Sequence, residues 1–416
     1  MKLLFITSYF YPEKAASSYL GDNLREVFCR DGNEIVLYTP IPTRGITREE
    51  RIQYSKEKKN EVLCDGRMTV HRFSLFREGK NPVIRAIRYL FCTLKQFNLG
   101  VFSKDARQCS ILFVASTPPI QGAMAACVKK FRHIPFVYNL QDIFPDSLAG
   151  TGLARKGGFL WKVGRVIENF TYRNADKIIV ISEDFKKNIM AKGVPEEKIV
   201  VVYNWVDEQA VIDVPREENK LFDKYNLDRS KFYITYNGNI GLTQNMDMLM
   251  EVAKALEANE DIQFVLVGNG AYLEQVQQII KDRNISNVHL LPFQPYEDIS
   301  HVFSLGDVSL VISKPGVGAN SVPSKTWSIM SASRPVLANF DENELKTIIA
   351  DNNCGIFTKA GDKVAFTDAI LKLYHDRELC REMGKNGRKF VMANLTKEVG
   401  TQKYIDVIKS FQKVKN

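Results

Sequence analysis

Short apolar runs separated by amphipathic stretches recur along the whole chain. KLLFIT (2–7), EIVLYT (34–39), ILFVAS (111–116), FVYNLQ (136–141), KIIVIS (177–182) and IVVVYN (199–204) are apolar at their centres. Runs this short, with no polar alternation, predict strands buried on both faces of a parallel sheet. Helical periodicity over 18–31, 120–132, 158–174 and 184–192 lies between them. Such βα alternation predicts a doubly wound sheet. The pattern restarts with YITYNG (233–238), QFVLVG (263–268), VHLLPF (288–293), VSLVIS (308–313) and RPVLAN (334–339). The expected fold class is therefore α/β, with two Rossmann-like doubly wound parallel-sheet domains over 1–207 and 208–395. The join falls near 204–228, where VPREENK offers proline and charge without periodicity. Residues 396–416 read as a helix with no following strand, able to pack on either half.

Composition narrows the chemistry. At 416 residues, 45% hydrophobic and 25% charged, the chain is neither disordered nor collagen-like. Seven scattered cysteines without a C-x-x-C pair argue against a disulfide framework or zinc site, and five histidines show no H-E-x-x-H spacing. No metal and no cofactor is expected. The opening MKLLFITSYFYPEK reads as a buried strand rather than a signal peptide, and no apolar stretch is long enough to span a bilayer. The expectation is a cytoplasmic protein, soluble or peripheral to the inner membrane.

Charge is distributed unevenly. Residues 1–207 hold 32 Lys and Arg against 21 Asp and Glu, whereas the remainder holds 25 against 27. A basic amino-terminal half implies either an anionic partner or simple solubility. Segment 82–104, PVIRAIRYLFCTLKQFNLGVFSK, places Val83, Ile87, Leu90, Phe91 and Leu94 on one helical face and Arg85, Arg88 and Lys95 on another. This pattern suits an anionic membrane surface or a core-packed helix with a solvated face. Nucleic acid is not expected as a partner, because no recognition motif accompanies the charge.

In open α/β sheets, ligands bind beyond the carboxyl ends of the strands, so the glycine and polar residues there are the candidates. After the first strand, Ala15, Ala16 and Ser17 form a small-residue loop that fits close approach to a sugar or anion, or an ordinary capped turn. No G-x-G-x-x-G follows, which disfavours a nicotinamide cofactor. Gly238, Asn239 and Gly241 follow strand YITY, and Gly268 follows the next strand; these glycines permit tight turns and close ligand approach. The stretch from Lys314 to Val336 contains Asn320, Ser321, Pro323, Ser324, Lys325 and Ser328, a loop leading into a helix capped near Ser321 or Ser324. A lysine in a first turn is ordinarily disfavoured, and gains sense if its partner is an anionic ligand.

This succession resembles the GT-B glycosyltransferases of family 4, most closely the bacterial surface-polysaccharide subgroup that includes L-fucosamine transferases. The matching pieces span nearly the whole chain. They are Tyr11-Pro12, Ser116-Thr117-Pro118-Pro119, Gln141-Asp142 through Asp146, Ala175-Asp176-Lys177 into Ser182, Asn204-Trp205-Val206-Asp207, Gly238 to Gly241, Val267 to Gly270, Val322 to Lys325 and Arg334-Pro335-Val336. The resemblance implies two domains facing across a cleft, with a terminal helix crossing back to the first. It also implies a nucleotide sugar, UDP-linked, in the second domain and a lipid-linked glycan acceptor presented by the first.

Departures from the family pattern shape the expected site. Where many members carry a pair of glutamates, this chain has Asn320 and Ser328. The basic clamp after the first strand of the second domain is also absent, which leaves Lys325, helped by Lys314, as the diphosphate cation. Phe293 is expected to border the base. Gln141 stands where a histidine is common, so Asp142 becomes the candidate for orienting or deprotonating the acceptor, or else caps a turn. Thr117 joins the acceptor side. The family's retention of configuration implies a route without a protein nucleophile. Two rival readings are a non-hydrolysing sugar-nucleotide epimerase and a non-catalytic binding subunit.

Overall fold

The computed structural model describes residues 1–13, 18–79, 81–147, 155, 157–318 and 322–412. The chain divides into two compact units, Met1–Tyr203 with Thr401–Asn416, and Asn204–Gly400.

The first unit is built on eight strands: β1 (Lys2–Ile6), β2 (Glu34–Pro40), β3 (Asn60–Leu63), β4 (Met68–Phe73), β5 (Ile111–Ala115), β6 (Phe136–Leu140), β7 (Lys177–Val180) and β8 (Ile199–Val201). They are ordered β3-β4-β2-β1-β5-β6-β7-β8, and only β3 runs antiparallel to its neighbour. The central strands are apolar throughout because helices cover both faces. Leu4, Ile6, Leu112, Val114, Phe136 and Ile178 share one core with Val128 and Ile189. Burial of each such side chain contributes about 2 kcal/mol.

The second unit contains β9 (Phe232–Asn239), β10 (Ile262–Asn269), β11 (Val288–Leu291), β12 (Val308–Ile312), β13 (Val336–Phe340) and β14 (Gly355–Lys359). All are parallel, in the order β11-β10-β9-β12-β13-β14. Phe232, Ile234 and Tyr236 on β9 face one core with Leu249 and Phe366, while Tyr233 faces another with Val265 and Leu305. This is the period-2 consequence of burying both faces.

Eleven predicted strands form in their expected places, and three further strands appear. β3 and β4 make an edge hairpin in which β4 alternates buried with half-exposed positions and β3 has none buried, so no continuous apolar run marks them. β14 opens on Gly355, where a Cβ would stand 2.0 Å from the Val336 carbonyl oxygen. The last helix is Lys397–Ser410. Tyr404 on it is buried in the first unit, donates to Asn139 Oδ1 at 3.1 Å and packs near Phe113.

Helix Pro82–Phe102 corrects one sequence expectation. Arg88 does not share an outward basic face with Arg85 and Lys95: its side chain is buried and its Nε donates to the Phe76 carbonyl at 3.0 Å. Instead the apolar positions point outward, since Leu90, Phe91 and Leu94 are about half exposed. Among the described residues, no helix is long and apolar enough to cross a membrane.

Candidate functional site

At the carboxyl end of the second sheet, β9 terminates in Asn237-Gly238-Asn239 beside the end of β10. Gly238 adopts φ +125, and a Cβ there would meet the Lys325 ammonium at 3.4 Å. A side chain at this position would crowd the cation. Gly268 lies opposite Gly238 in the register, and a Cβ on it would stand 1.9 Å from the Gly238 carbonyl oxygen. Its role is to let these two backbones touch.

Lys325 begins the short helix Lys325–Ser331. Its Nζ sits 3.9 Å from the centroid of the Tyr236 ring, whose hydroxyl donates to the Asn239 carbonyl at 2.6 Å. Among the described residues no carboxylate pairs with this ammonium. Burial alone lowers its pKa from 10.5 to about 7. A cation held over an aromatic face without a counter-ion gains its full charge when an anion arrives.

Sequence reasoning overlooks three further buried polar residues in the second unit. Both amide atoms of Asn237, the Ser313 hydroxyl and the Thr326 hydroxyl are buried without a hydrogen-bond partner. By strand alternation Asn237 lies on the same face as Thr235, whose hydroxyl bonds Ser309 at 2.7 Å, and Ser313 continues the Ser309 face of β12. An unpartnered buried polar group costs roughly 1–3 kcal/mol, so several at one strand edge mark a place prepared for a polar ligand. The signal available in the sequence is an amide at an inward-facing strand position, where its neighbours are apolar.

The other predicted donor residues are distributed as follows. Asn239 is exposed at the tip of β9. The Gly241 N–H donates to Gln244 Oε1 at 3.1 Å. The Lys314 ammonium lies 5.4 Å from the Tyr272 ring centroid. Phe293, in the loop after β11, is 75% exposed. The Pro323 carbonyl accepts from Thr326 N–H, and the Ser328 carbonyl from Ala332 N–H. Ser324 precedes the helix and makes no side-chain cap bond, so of the two expected capping residues it is not the one that caps. Asn320 and Ser321 lie outside the described residues.

In the first unit, Asp142 follows β6 and lines a small recess with Tyr138, Phe144, Glu168 and Tyr172. Burial raises its carboxyl pKa above 3.8, against an opposing bond in which Ser147 Oγ donates to Oδ2 at 3.1 Å. A raised carboxylate is the better proton acceptor near neutral pH. Gln141 is locked in place: its N–H donates to Ser116 Oγ at 3.0 Å and its side chain to Asn139 at 2.9 Å. Thr117 is exposed next to Ser116. Ala15, Ala16 and Ser17 lie outside the described residues.

Two α/β units with polar, glycine-bearing strand ends define a fold class, GT-B, and the comparisons with known proteins agree. Residues 22–210 match the family model for Glycosyltransferase Family 4, and residues 217–390 match that for Glycosyl transferases group 1. The chain is a glycosyltransferase of GT-B type built from these two domains. It is 23% identical over 338 residues to the Probable glycosyltransferase WbjE of Pseudomonas aeruginosa, covering 80% of this chain and 82% of that protein. It is 29% identical over 200 residues to WcaI of Escherichia coli K12, a protein named for colanic acid biosynthesis, covering 47% and 48%. Among solved structures, HepE of Anabaena in complex with UDP superposes with a TM-score of 0.72 at 15% identity, covering 99% of this chain and 100% of that one. Sucrose-phosphate synthase of Thermosynechococcus elongatus superposes at 0.75 with 14% identity, covering 99% of each. At such identities the likeness concerns the fold.

Proposed function

We propose that this chain is a retaining transferase that moves a sugar from a UDP-linked donor to a polyprenyl-diphosphate-linked glycan in capsule or O-antigen assembly. The sugar is an N-acetylated deoxy-aminosugar such as N-acetyl-L-fucosamine, and the enzyme works peripherally on the cytoplasmic side of the inner membrane. One observation carries the donor half of this reading: the desolvated, unpaired Lys325 ammonium beside Gly238. A diphosphate supplies the missing counter-charge, and the charge developing on the leaving group strengthens that interaction in the transition state.

In this scheme the bond between the anomeric carbon and the donor phosphate oxygen breaks. The acceptor hydroxyl oxygen attacks from the same face, and its proton passes to an oxygen of the departing diphosphate. Positioning and charge stabilisation are the main requirements, so no protein nucleophile is needed. Asn237 and Ser313 hydrogen-bond the donor, Phe293 borders the base, and Asp142 orients the acceptor hydroxyl. The UDP complex of HepE and the naming of WcaI support this reading. A thermal-shift panel of UDP-, GDP-, dTDP- and ADP-sugars tests it, because a ligand of the folded state raises the melting temperature. A response to UDP-sugars, lost in Lys325→Ala, is the expected result; no response to any of them overturns it.

A further inference from the structure

The turn that carries Asp142 is held from behind by charge. It runs from the end of β6 at Leu140 to Ser147, whose N–H closes it on the Ile143 carbonyl at 3.0 Å. Lys192, the residue that ends helix Glu183–Ala191, reaches two carboxylates at once: its ammonium lies 2.7 Å from Asp146 Oδ2 and 2.9 Å from Glu168 Oε1. Asn188, one turn earlier, donates to the same Asp146 oxygen at 3.3 Å. Glu168 comes from helix Phe159–Asn174, is buried, and is paired by Arg165 as well. Three segments separated in sequence are thus tied at one ammonium.

Helix Phe159–Asn174 also closes on the turn by shape. A Cβ on Gly164 would stand 2.7 Å from Pro145 Cβ and 2.8 Å from Phe144 Cε1, so this approach requires a residue without a side chain. Ile143 is buried between. Asp142 then lines its recess with Tyr138 from β6 and with Glu168 and Tyr172 from the same helix. Glu168 therefore borders the Asp142 recess and the Lys192 ammonium together.

Stability is a poor account of this arrangement. Taking an ammonium and two carboxylates out of water costs most of what their attraction returns, and packed apolar side chains of similar volume often do as well. An ammonium shared by two carboxylates supplies direction instead. It fixes Asp146 against helix Phe159–Asn174, and the short chain between β6 and Asp146 has little slack. Placement matters to the chemistry, because a displacement of about 1 Å in a reacting group can cost about 10²-fold in rate.

We propose that Lys192 is a positioning residue for the transfer reaction: by clasping Asp146 to Glu168 it fixes the turn after β6, and with it the direction in which the Asp142 carboxylate meets the acceptor hydroxyl. This rests on the proposed role of Asp142 and adds the group that aims it. Two measurements on the full chain test it. Hydrogen exchange of Lys192→Met should quicken at the amides of 141–147 while β1 and β5 keep wild-type protection, and its thermal shift with UDP-sugar should be unchanged. Turnover, read as UDP release with a synthetic polyprenyl-diphosphate-linked N-acetylglucosamine as acceptor, should fall by about tenfold to 10²-fold. The same substitution made in Asp142→Asn should cost less than about twofold more, because a residue that acts through Asp142 has nothing left to aim. Should Lys192→Met not fold, Asp146→Asn removes one arm of the clasp, leaves Lys192 paired with Glu168, and carries the same expectations. Unchanged exchange at 141–147 overturns the proposal, as does an equal loss of turnover with and without Asp142, which would reduce Lys192 to a fold-stabilising ion pair. A wild type that transfers nothing to this acceptor counts against the transferase reading, whereas the exchange measurement still decides whether Lys192 holds the turn.

Discussion

Lys325 makes donor binding depend on pH in a calculable way. Lowering the ammonium pKa from 10.5 to about 7 costs roughly 5 kcal/mol of charge stabilisation, at 1.36 kcal/mol per decade. A bound diphosphate returns that charge, so the lysine stays protonated in the complex. Above pH 7 the free protein must then take up a proton on binding. The dissociation constant scales as one plus the ratio of neutral to charged lysine, and rises about 16-fold between pH 7 and pH 8.5. A UDP-sugar has no ionisation of its own across this window, so the slope belongs to the protein. Calorimetry in two buffers of different ionisation enthalpy should register uptake of nearly one proton at the higher pH. Lys325→Arg keeps its charge throughout and should bind with a flat profile. Stability follows the same linkage. The folded pKa lies below the unfolded one, so the unfolded chain holds the extra proton between about pH 7 and 10.5, and stability rises with pH across that interval. Lys325→Met should therefore exceed wild type most at pH 6 and converge with it toward pH 10. A wild-type affinity equal at pH 7 and 8.5 would refute the reasoning.

Three further outcomes follow from the same geometry. Asn237→Val removes two unpartnered buried atoms and should stabilise the fold by about 1 kcal/mol, raising Tm by roughly 2–4 °C, while increasing the donor KM; an unchanged KM removes Asn237 from the site. Gly268→Ala forces a Cβ to within 1.9 Å of the Gly238 carbonyl and should cost roughly 3 kcal/mol in urea unfolding, with donor binding lost alongside; wild-type stability would show that the two turns are not in contact. The raised carboxyl of Asp142 should give kcat/KM an acid limb above the ordinary aspartate range, with activity falling as pH drops through it. Asp142→Asn should abolish that limb and lower turnover by about 10²-fold or more; a loss of Tm alone, with the pH profile intact, would reduce Asp142 to a turn cap.

Both sheets were legible in the sequence because parallel strands covered on two faces produce unbroken apolar runs, as in ILFVAS and QFVLVG. The β3–β4 hairpin was not, since Met68 and Val70 alternate with half-exposed Thr69 and His71 at the sheet edge. Lys325 could be singled out because a lysine that opens a helix after a glycine loop conflicts with local electrostatics. What could not be read was its desolvation, which depends on Tyr236 lying beneath it from a strand far away in sequence. Arg88 shows the converse problem. Helical periodicity groups it with Arg85 and Lys95, but a carbonyl from the preceding loop, Phe76, holds its guanidinium inside. Such long-range assignments depend on which neighbour the fold delivers, and spacing along one helix carries no record of that.

The helix Lys397–Ser410 has a consequence for the order in which the protein is made. Asn204–Gly400 is continuous in sequence, whereas the unit that begins at Met1 is interrupted and resumes only at Thr401. During synthesis the second unit can finish while the first still lacks Tyr404, the side chain that meets Asn139 and Phe113 in its interior. The first sheet thus completes its packing only after the whole unit that follows it in the chain, and a fusion or truncation near residue 400 is felt at that sheet.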